Sequence, residues 1–299
     1  MLKNIVPYRL LESFALDAEA LAEALDTHRF NPCGRSDPYA QGFVPVIPEL
    51  DALTHAANGC IALMLREEEK ILPASVVRDE LNERVAEREH REHRKIRKRE
   101  KDALKDEIVL ELLPRAFSRF KHTLIVIDAA EGFIYVDAAS YRQSETALEA
   151  LREAIGSLPV APLSTEDAPA SVMTDWLSGN PPREIELGES VVLEDPQTEG
   201  ARVTIRRLDL HSDQVREHLA AGLRVQRLSV NYDERLSATL DADYSIKQFQ
   251  LSDVLAESGE LAEAETEAQR FDAEFALRTL EARAFLKAVL ALYGGEARS

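Results

Sequence analysis

The chain has 299 residues, 45% of them hydrophobic, and a formal net charge of −18. That size suits one large or two to three ordinary domains with true cores, and it excludes disorder throughout. So acidic a chain repels nucleic acid and anionic membrane along most of its length; no apolar run nears the roughly 18 residues of a membrane span, and residues 1–11 lack a signal peptide's apolar stretch, so a cytoplasmic protein without a membrane partner is expected.

In chain order, Asn4 to Leu11 read as a strand, and Leu21, Ala22 and Leu25 give Ala18 to Leu25 the apolar face of a helix. Turn-forming residues from Asn31 to Pro48 predict a loop. Cys60 to Leu65 is an apolar run of strand length ending in the charged Arg66 to Lys70, which is expected at the surface. Cys33 and Cys60 show neither a CxxC nor a Cys/His spacing, so reduced, partly buried thiols are expected, with no disulfide framework and no zinc site.

From Ala74 to Leu113 there is neither Gly nor Pro, and Pro73 and Pro114 bracket the stretch as start and stop signals of a helix. One unbroken helix of that length would run about 60 Å. Its apolar residues gather at the ends, Val77, Leu81 and Val85 at one and Leu104, Ile108 and Leu112 at the other, with Ile96 alone between Glu87 and Asp102. A middle with nothing to bury must project into solvent, and a helical hairpin, whose two ends pack together, satisfies that better than a rod.

The same segment reverses the sign of the chain. Arg84 to Lys105 holds ten Lys/Arg against five Asp/Glu, a net +5 that leaves −23 for the remainder. Along a continuous helix, Arg91/Lys95, Arg94/Lys98, Lys95/Arg99, Arg97/Lys101 and Lys101/Lys105 would repel at four-residue spacing, by a few tenths of a kcal/mol each. Two readings follow: a solvated, salt-laced surface, or a polyanion contact in which phosphates relieve the repulsion. His90 and His93 have a metal-compatible spacing, but Arg91, Arg94 and Lys95 around them repel a cation, and no metal is expected.

After Pro114, Thr123 to Ile127 and Phe133 to Val136 read as a hairpin around Gly132, and Ser144 to Ile155 as a helix stopped by Gly156. Ser157 to Pro162 continues as an extended segment, and Gly179 to Pro182 is a turn cluster and candidate domain boundary. Strands are predicted at Ser190 to Leu193, Ala201 to Leu208, Arg224 to Asn231 and Leu236 to Leu240, with a helix at Asp213 to Ala221 capped by Ser212. A helix from about Glu263 to Tyr293, with Phe271, Phe275, Ala282, Phe285, Val289 and Leu292 on one side, closes the chain before Gly294 and Gly295.

No catalytic signature stands out, there is no phosphate loop or GxGxxG, and neither enzymatic activity nor a cofactor is expected. Asp128 and Asp137 flank the strand pair and are the candidate carboxylates for a metal-dependent nuclease; strand-end aspartates more often form turns. Cys33, His55 and Asn58 are the members of a conceivable Cys/His/Asn nucleophile set that no spacing brings together. Basic residues recur at Arg115, Arg119 and Lys121 around Phe117 and Phe120, at Arg202, Arg206 and Arg207, and at Arg224 and Arg227. Strand alternation puts Arg202 with Arg206 on one face, but Arg207 opposite Arg206 and Arg224 opposite Arg227, so no single cationic face follows from spacing. Phe117 and Phe120 suit base stacking, core or a subunit contact, the last two favoured by how commonly Phe is buried.

Together, Asp51-Ala-Leu-Thr-His-Ala-Ala-Asn-Gly59, Glu67-Glu-Glu-Lys-Ile-Leu-Pro73, Lys101-Asp-Ala-Leu-Lys-Asp-Glu107, Leu112 to Phe120, Gly156-Ser-Leu-Pro-Val160 and Arg270-Phe-Asp-Ala-Glu-Phe275 resemble the RdgC family of bacterial recombination-associated proteins. The pieces come in the family's order and span nearly the whole chain. The resemblance implies an α+β protein: a central mixed α/β body (1–73 and 114–178), a projecting helical tip (74–113) and a C-terminal α/β base with a long helix (179–299). It further implies a homodimeric ring around double-stranded DNA, with single-stranded DNA as a second ligand, that is nucleoid-associated and restrains the recombinase RecA by occupying DNA. On that reading Arg94, Lys95, Arg97, Lys98, Arg99, Lys101, Arg115, Arg119, Lys121, Arg206, Arg207, Arg224 and Arg227 are the DNA-binding candidates, and Phe117 and Phe120 the dimer-interface candidates. The alternatives are a helical module that binds an acidic protein partner, and the Asp128/Asp137 nuclease.

Overall fold

A computed structural model describes residues 1–198, 200–257 and 260–297. The protein is mixed α/β with a large antiparallel sheet, and its contacts divide it into two units, residues 1–25, 45–64 and 123–299 in the larger and 26–44 with 65–122 in the smaller. The cuts fall after Leu25, Val44, Met64 and His122, not at Pro73, Pro114 or residue 179. The expected tip lies within the smaller unit, and residues from 179 on share the larger unit with parts of the expected central body.

In the larger unit β1 (Ile5–Leu10) pairs with β6 (Phe133–Asp137), which pairs with β5 (Phe117–Asp128). The sheet continues through β12 (Ile246–Leu251), β11 (Leu236–Asp241), β10 (Arg224–Tyr232) and β8 (Ile185–Glu194) to β9 (Arg202–Arg206). Pro7 has no N–H to give a ladder, and it falls where the second edge of β1 passes from β12, paired at Ile5, to β7 (Val160–Pro162), paired from Tyr8. β3 (Thr54–Ala57) pairs with β4 (Cys60–Ile71) around a tight turn.

One face of this sheet is apolar. Val191, Leu193, Val225, Leu228, Val230, Leu240 and Phe249 are all buried, and so are Trp176, Phe275, Phe285 and Tyr293 of the helices. Those helices are α5 (Pro169–Leu177) and α9 (Glu267–Leu292), which ends just before Tyr293. α9 opens with a capping box of Thr266 and Gln269, and its apolar side buries Phe275, Ala282, Phe285 and Val289 as the periodicity predicts. Burial of a ring such as Phe285 contributes on the order of 2–3 kcal/mol. α1 (Ala18–Asp26) and α4 (Tyr141–Ile155) also follow their predicted positions, α4 ending at Gly156 with φ +83°. α6 (Asp213–Ala220) starts after Ser212, but the Ser212 hydroxyl is buried without a hydrogen-bond partner among the described residues and makes no cap bond. Two short helices, α7 (Asp253–Ala256) and α8 (Glu260–Glu263), precede α9.

In the smaller unit β2 (Tyr39–Val44) lies inside the expected loop, and β4 does not stop at Leu65 but runs to Ile71. The charged stretch is a strand because its charges meet opposite charges on the neighbour, Glu67 with Lys121 and Glu69 with Arg119. α2 (Ala74–Glu92) and α3 (Lys98–Leu112) form the expected hairpin, in which Val77 and Ile108 are buried and Ile96 is 5% exposed in the turn. His93, with φ +52°, reverses the chain.

Gly188 in β8 is required by a close approach. A Cβ there would sit 2.5 Å from the Ser229 hydroxyl oxygen and 3.1 Å from the Ser229 carbonyl carbon. That hydroxyl accepts the Ser190 N–H and donates to the Ser190 carbonyl, closing the bulge between β8 and β10. Gly188→Ala is expected to cost about 1–3 kcal/mol by overpacking, read as a lower urea midpoint at unchanged slope.

Candidate nucleic-acid interface

The opposite face of the larger unit's sheet forms a shallow concavity of about 1120 Å³. Lys3, Arg206, Arg207, Arg227, Lys247 and Arg278 line it against a single carboxylate, Glu189, over a floor that includes Ser190, Thr204, Ser229, Ser237 and Thr239. Among the described residues Lys3, Arg206, Arg207 and Lys247 have no ion pair; Arg227 is bonded to Asp241 and Arg278 to Glu274. Lys247 donates to the Ala139 carbonyl, and burial, with Arg227 nearby, lowers its pKa from the ordinary lysine range.

Irregular backbone creates this single cationic face, contrary to plain alternation. Arg224 stands opposite Glu194 and Arg227 opposite Val192, so Gln226 is an extra residue in β10 and the bulge brings Arg224 and Arg227 to one side. In β12 the register passes from Ser237/Gln250 to Thr239/Lys247 through Gln248, whose φ is +52°, and Lys247 joins the same face. Arg207 lies beyond the end of β9 with φ +54°, which is how it lines the concavity beside Arg206. Lys3, Lys247 and Arg278 carry no local signal that marks them as candidates.

In the smaller unit the α2–α3 turn presents Arg94, Lys95, Arg97, Lys98 and Arg99 around one recess, with Glu100. The expected repulsion is largely absent. Because the helices break between Glu92 and Lys98, Arg91/Lys95, Arg94/Lys98 and Lys95/Arg99 are not helical neighbours, and Glu89, Glu92 and Glu100 reach the cations instead. Arg94 meets Glu100 and Glu92, Lys95 meets Glu89 at 2.7 Å, and Arg84 joins Glu80 to Glu111 across the hairpin. Glu100 also accepts the Arg97 N–H, and the Arg94 guanidinium foremost holds its carboxyl down at about 2. Arg97, Lys98, Arg99 and Lys101 stay exposed and without an ion pair among the described residues, as does Arg115, whereas Arg119 and Lys121 are matched by Glu69 and Glu67.

Phe117 is 84% exposed and Phe120 46%. Three residues apart on a strand, they point to opposite faces of β5, so a single interface face does not hold both. The Phe120 ring lies under the Arg66 guanidinium, at 4.3 Å.

The carboxylates proposed for catalysis have structural occupations. Asp128, fully buried, is gripped by the fork of Arg283 at 2.7 and 2.8 Å and accepts from Tyr135, and Asp137 accepts the backbone N–H groups of Lys3 and Asn4. Cys33 bonds Glu68 through its N–H, His55 bonds Asp272, and Asn58 faces Ala276, so the nucleophile set is dispersed among other partners. Both cysteines are free thiols; burial pushes Cys60 up to about 11. Among the described residues no group of three or more His, Cys, Asp and Glu is placed to hold a metal, and no helix is long and apolar enough to cross a membrane.

Comparison with known proteins bears on the whole chain. The family model described as "RdgC: Putative exonuclease, RdgC" matches residues 1–296. The recombination-associated protein RdgC of Halorhodospira halophila is 44% identical over 295 residues, covering 98% of each chain. Those of Yersinia enterocolitica and Yersinia pestis are each 40% identical over 298 residues, covering 99% of this chain and 98% of theirs. With both the family match and the relatives extending nearly end to end, the chain belongs to the RdgC family of recombination-associated proteins.

Proposed function

We propose that the protein binds double-stranded DNA without sequence preference, as a closed homodimer, and restrains RecA-dependent recombination by occupying the DNA. The observation that carries this reading is the gathering of six cations on one concave sheet face of a chain whose net charge is −18. Arginine and lysine on a concave face suit phosphate oxygens, and phosphate contacts carry no base information. An acidic remainder keeps the rest of the surface from holding DNA, so the polyanion is confined to the cationic face. Closure as a ring, which the family resemblance implies, would keep a duplex from leaving sideways, and the unmatched cations of the hairpin turn supply a second contact. The engagement of Asp128 and Asp137 elsewhere favours binding without cleavage over the nuclease reading.

Salt titration tests this. Duplex affinity is expected to fall linearly in log–log form, with equal slopes for unrelated sequences, in proportion to the phosphates neutralised. Affinity indifferent to salt, or a pull-down partner retained after nuclease treatment with no duplex binding, would favour the acidic-protein module instead.

A further inference from the structure

Phe117 is the most exposed large hydrophobic side chain in the described structure, and the opposite face of its strand is held by an unusual buried charge. On β4, Glu68 is only 3% exposed. Its carboxylate accepts the Ser118 hydroxyl at 2.5 Å and the Cys33 N–H at 2.8 Å, and stands 3.4 Å from the Lys70 ammonium. Lys70 in turn donates to the Ser118 hydroxyl oxygen at 2.9 Å, so that hydroxyl is engaged both as donor and as acceptor. The Ser118 hydroxyl and the Cys33 N–H hold the Glu68 carboxyl below the usual carboxylate range.

Two residues further on, the Phe120 ring lies against the Arg66 guanidinium, which also stands 4.7 Å from the Phe30 ring. Residues 118 and 120 are thus clamped from one side of β5 while 117 and 119 project from the other. A buried carboxylate is costly unless every partner is in place, and apolar packing stabilises a strand pair at least as well. A charge kept there makes sense as a device that fixes one backbone position. We infer that Glu68, acting through Ser118, is a positioning residue that presents Phe117, in a preset orientation, to a second copy of the chain. The inference rests on Phe117 being a subunit contact, and its physical basis is preorganisation: an exposed aromatic on a strand that cannot fray loses less freedom when it docks.

The test is the dimer dissociation constant by sedimentation equilibrium, with far-ultraviolet melting as the control for folding. Phe117→Ala is expected to raise the constant at least about tenfold and Ser118→Ala about fivefold, both with little change in melting temperature. The double variant should be no weaker than Phe117→Ala alone, because Ser118 acts only through Phe117, and Ser118→Thr should restore affinity. A full effect in Phe117→Ala with none in Ser118→Ala, or additive effects in the double variant, overturns the inference alone. An unchanged constant in Phe117→Ala overturns the interface reading and the inference with it. Should Ser118→Ala not fold, Lys70→Met removes the other partner of the Ser118 hydroxyl and is read by the same cycle.

Discussion

Replacing Arg206, Arg207 and Lys247 together by alanine is expected to lower duplex affinity on the order of a hundredfold at low salt and to reduce the salt slope by about 2.7, the loss for three phosphate contacts. These three line the concavity and have no ion pair among the described residues, so their charge is available to a polyanion. The matched control is the triple change of Arg94, Arg119 and Lys121, each already paired with glutamate. It removes as much formal charge but frees the four carboxylates that were their partners, Glu92, Glu100, Glu69 and Glu67, and it is expected to change the slope by less than about one. Fluorescence anisotropy of two unrelated duplexes over a range of salt reads both. Equal losses in the two triples would refute the view that pairing decides which cations matter; a loss confined to one duplex would refute sequence indifference.

Arg283→Ala is expected to cost about 3–5 kcal/mol of stability, the largest effect expected of any single substitution, because among the described residues it leaves the fully buried Asp128 carboxylate with the Tyr135 hydroxyl and the Glu131 N–H alone. Arg283 also donates to the Asn58 carbonyl and the Cys60 sulfur, so its loss weakens the hold of α9 on the β3–β4 turn, leaving the His55–Asp272 and Asn58–Ala276 bonds. Urea unfolding measures the change. Asp128→Asn should move stability in the same direction, since the Arg283 fork then faces a neutral amide. The nuclease reading makes the opposite forecast: an Asp128→Asn chain that unfolds at the parent's midpoint yet loses a magnesium-dependent cleavage. That pair of measurements separates a structural carboxylate from a catalytic one.

Much of the architecture was legible in residue order. Pro73 and Pro114 bound the helical segment, and the absence of an apolar stripe from its charged middle pointed to a hairpin turn; that Ile96 is buried within that turn was not legible from the sequence. The hairpin of β5 and β6, the Gly156 stop and the apolar side of α9 followed from breakers and periodicity for the same reason: they depend on neighbours within a few residues. β2 and β12 escaped notice because both are short and mixed in polarity, and the far half of β4 because its charges looked solvated until the opposing strand supplied partners.

The cationic interface divides along the same line. That positive charge concentrates between Arg84 and Lys105, and recurs near 206 and 227, is plain in the composition, since charge is a property of each residue alone. Which cations share a face, and which are cancelled, was settled only by the folded chain. Alternation separates Arg224 from Arg227; the extra residue Gln226 reunites them, and the left-handed Gln248 turns Lys247 to the same side. Bulges and cross-strand ion pairs arise from strands brought together over long stretches of sequence, and no local pattern encodes them, because a one-residue slip reverses every side chain of a strand.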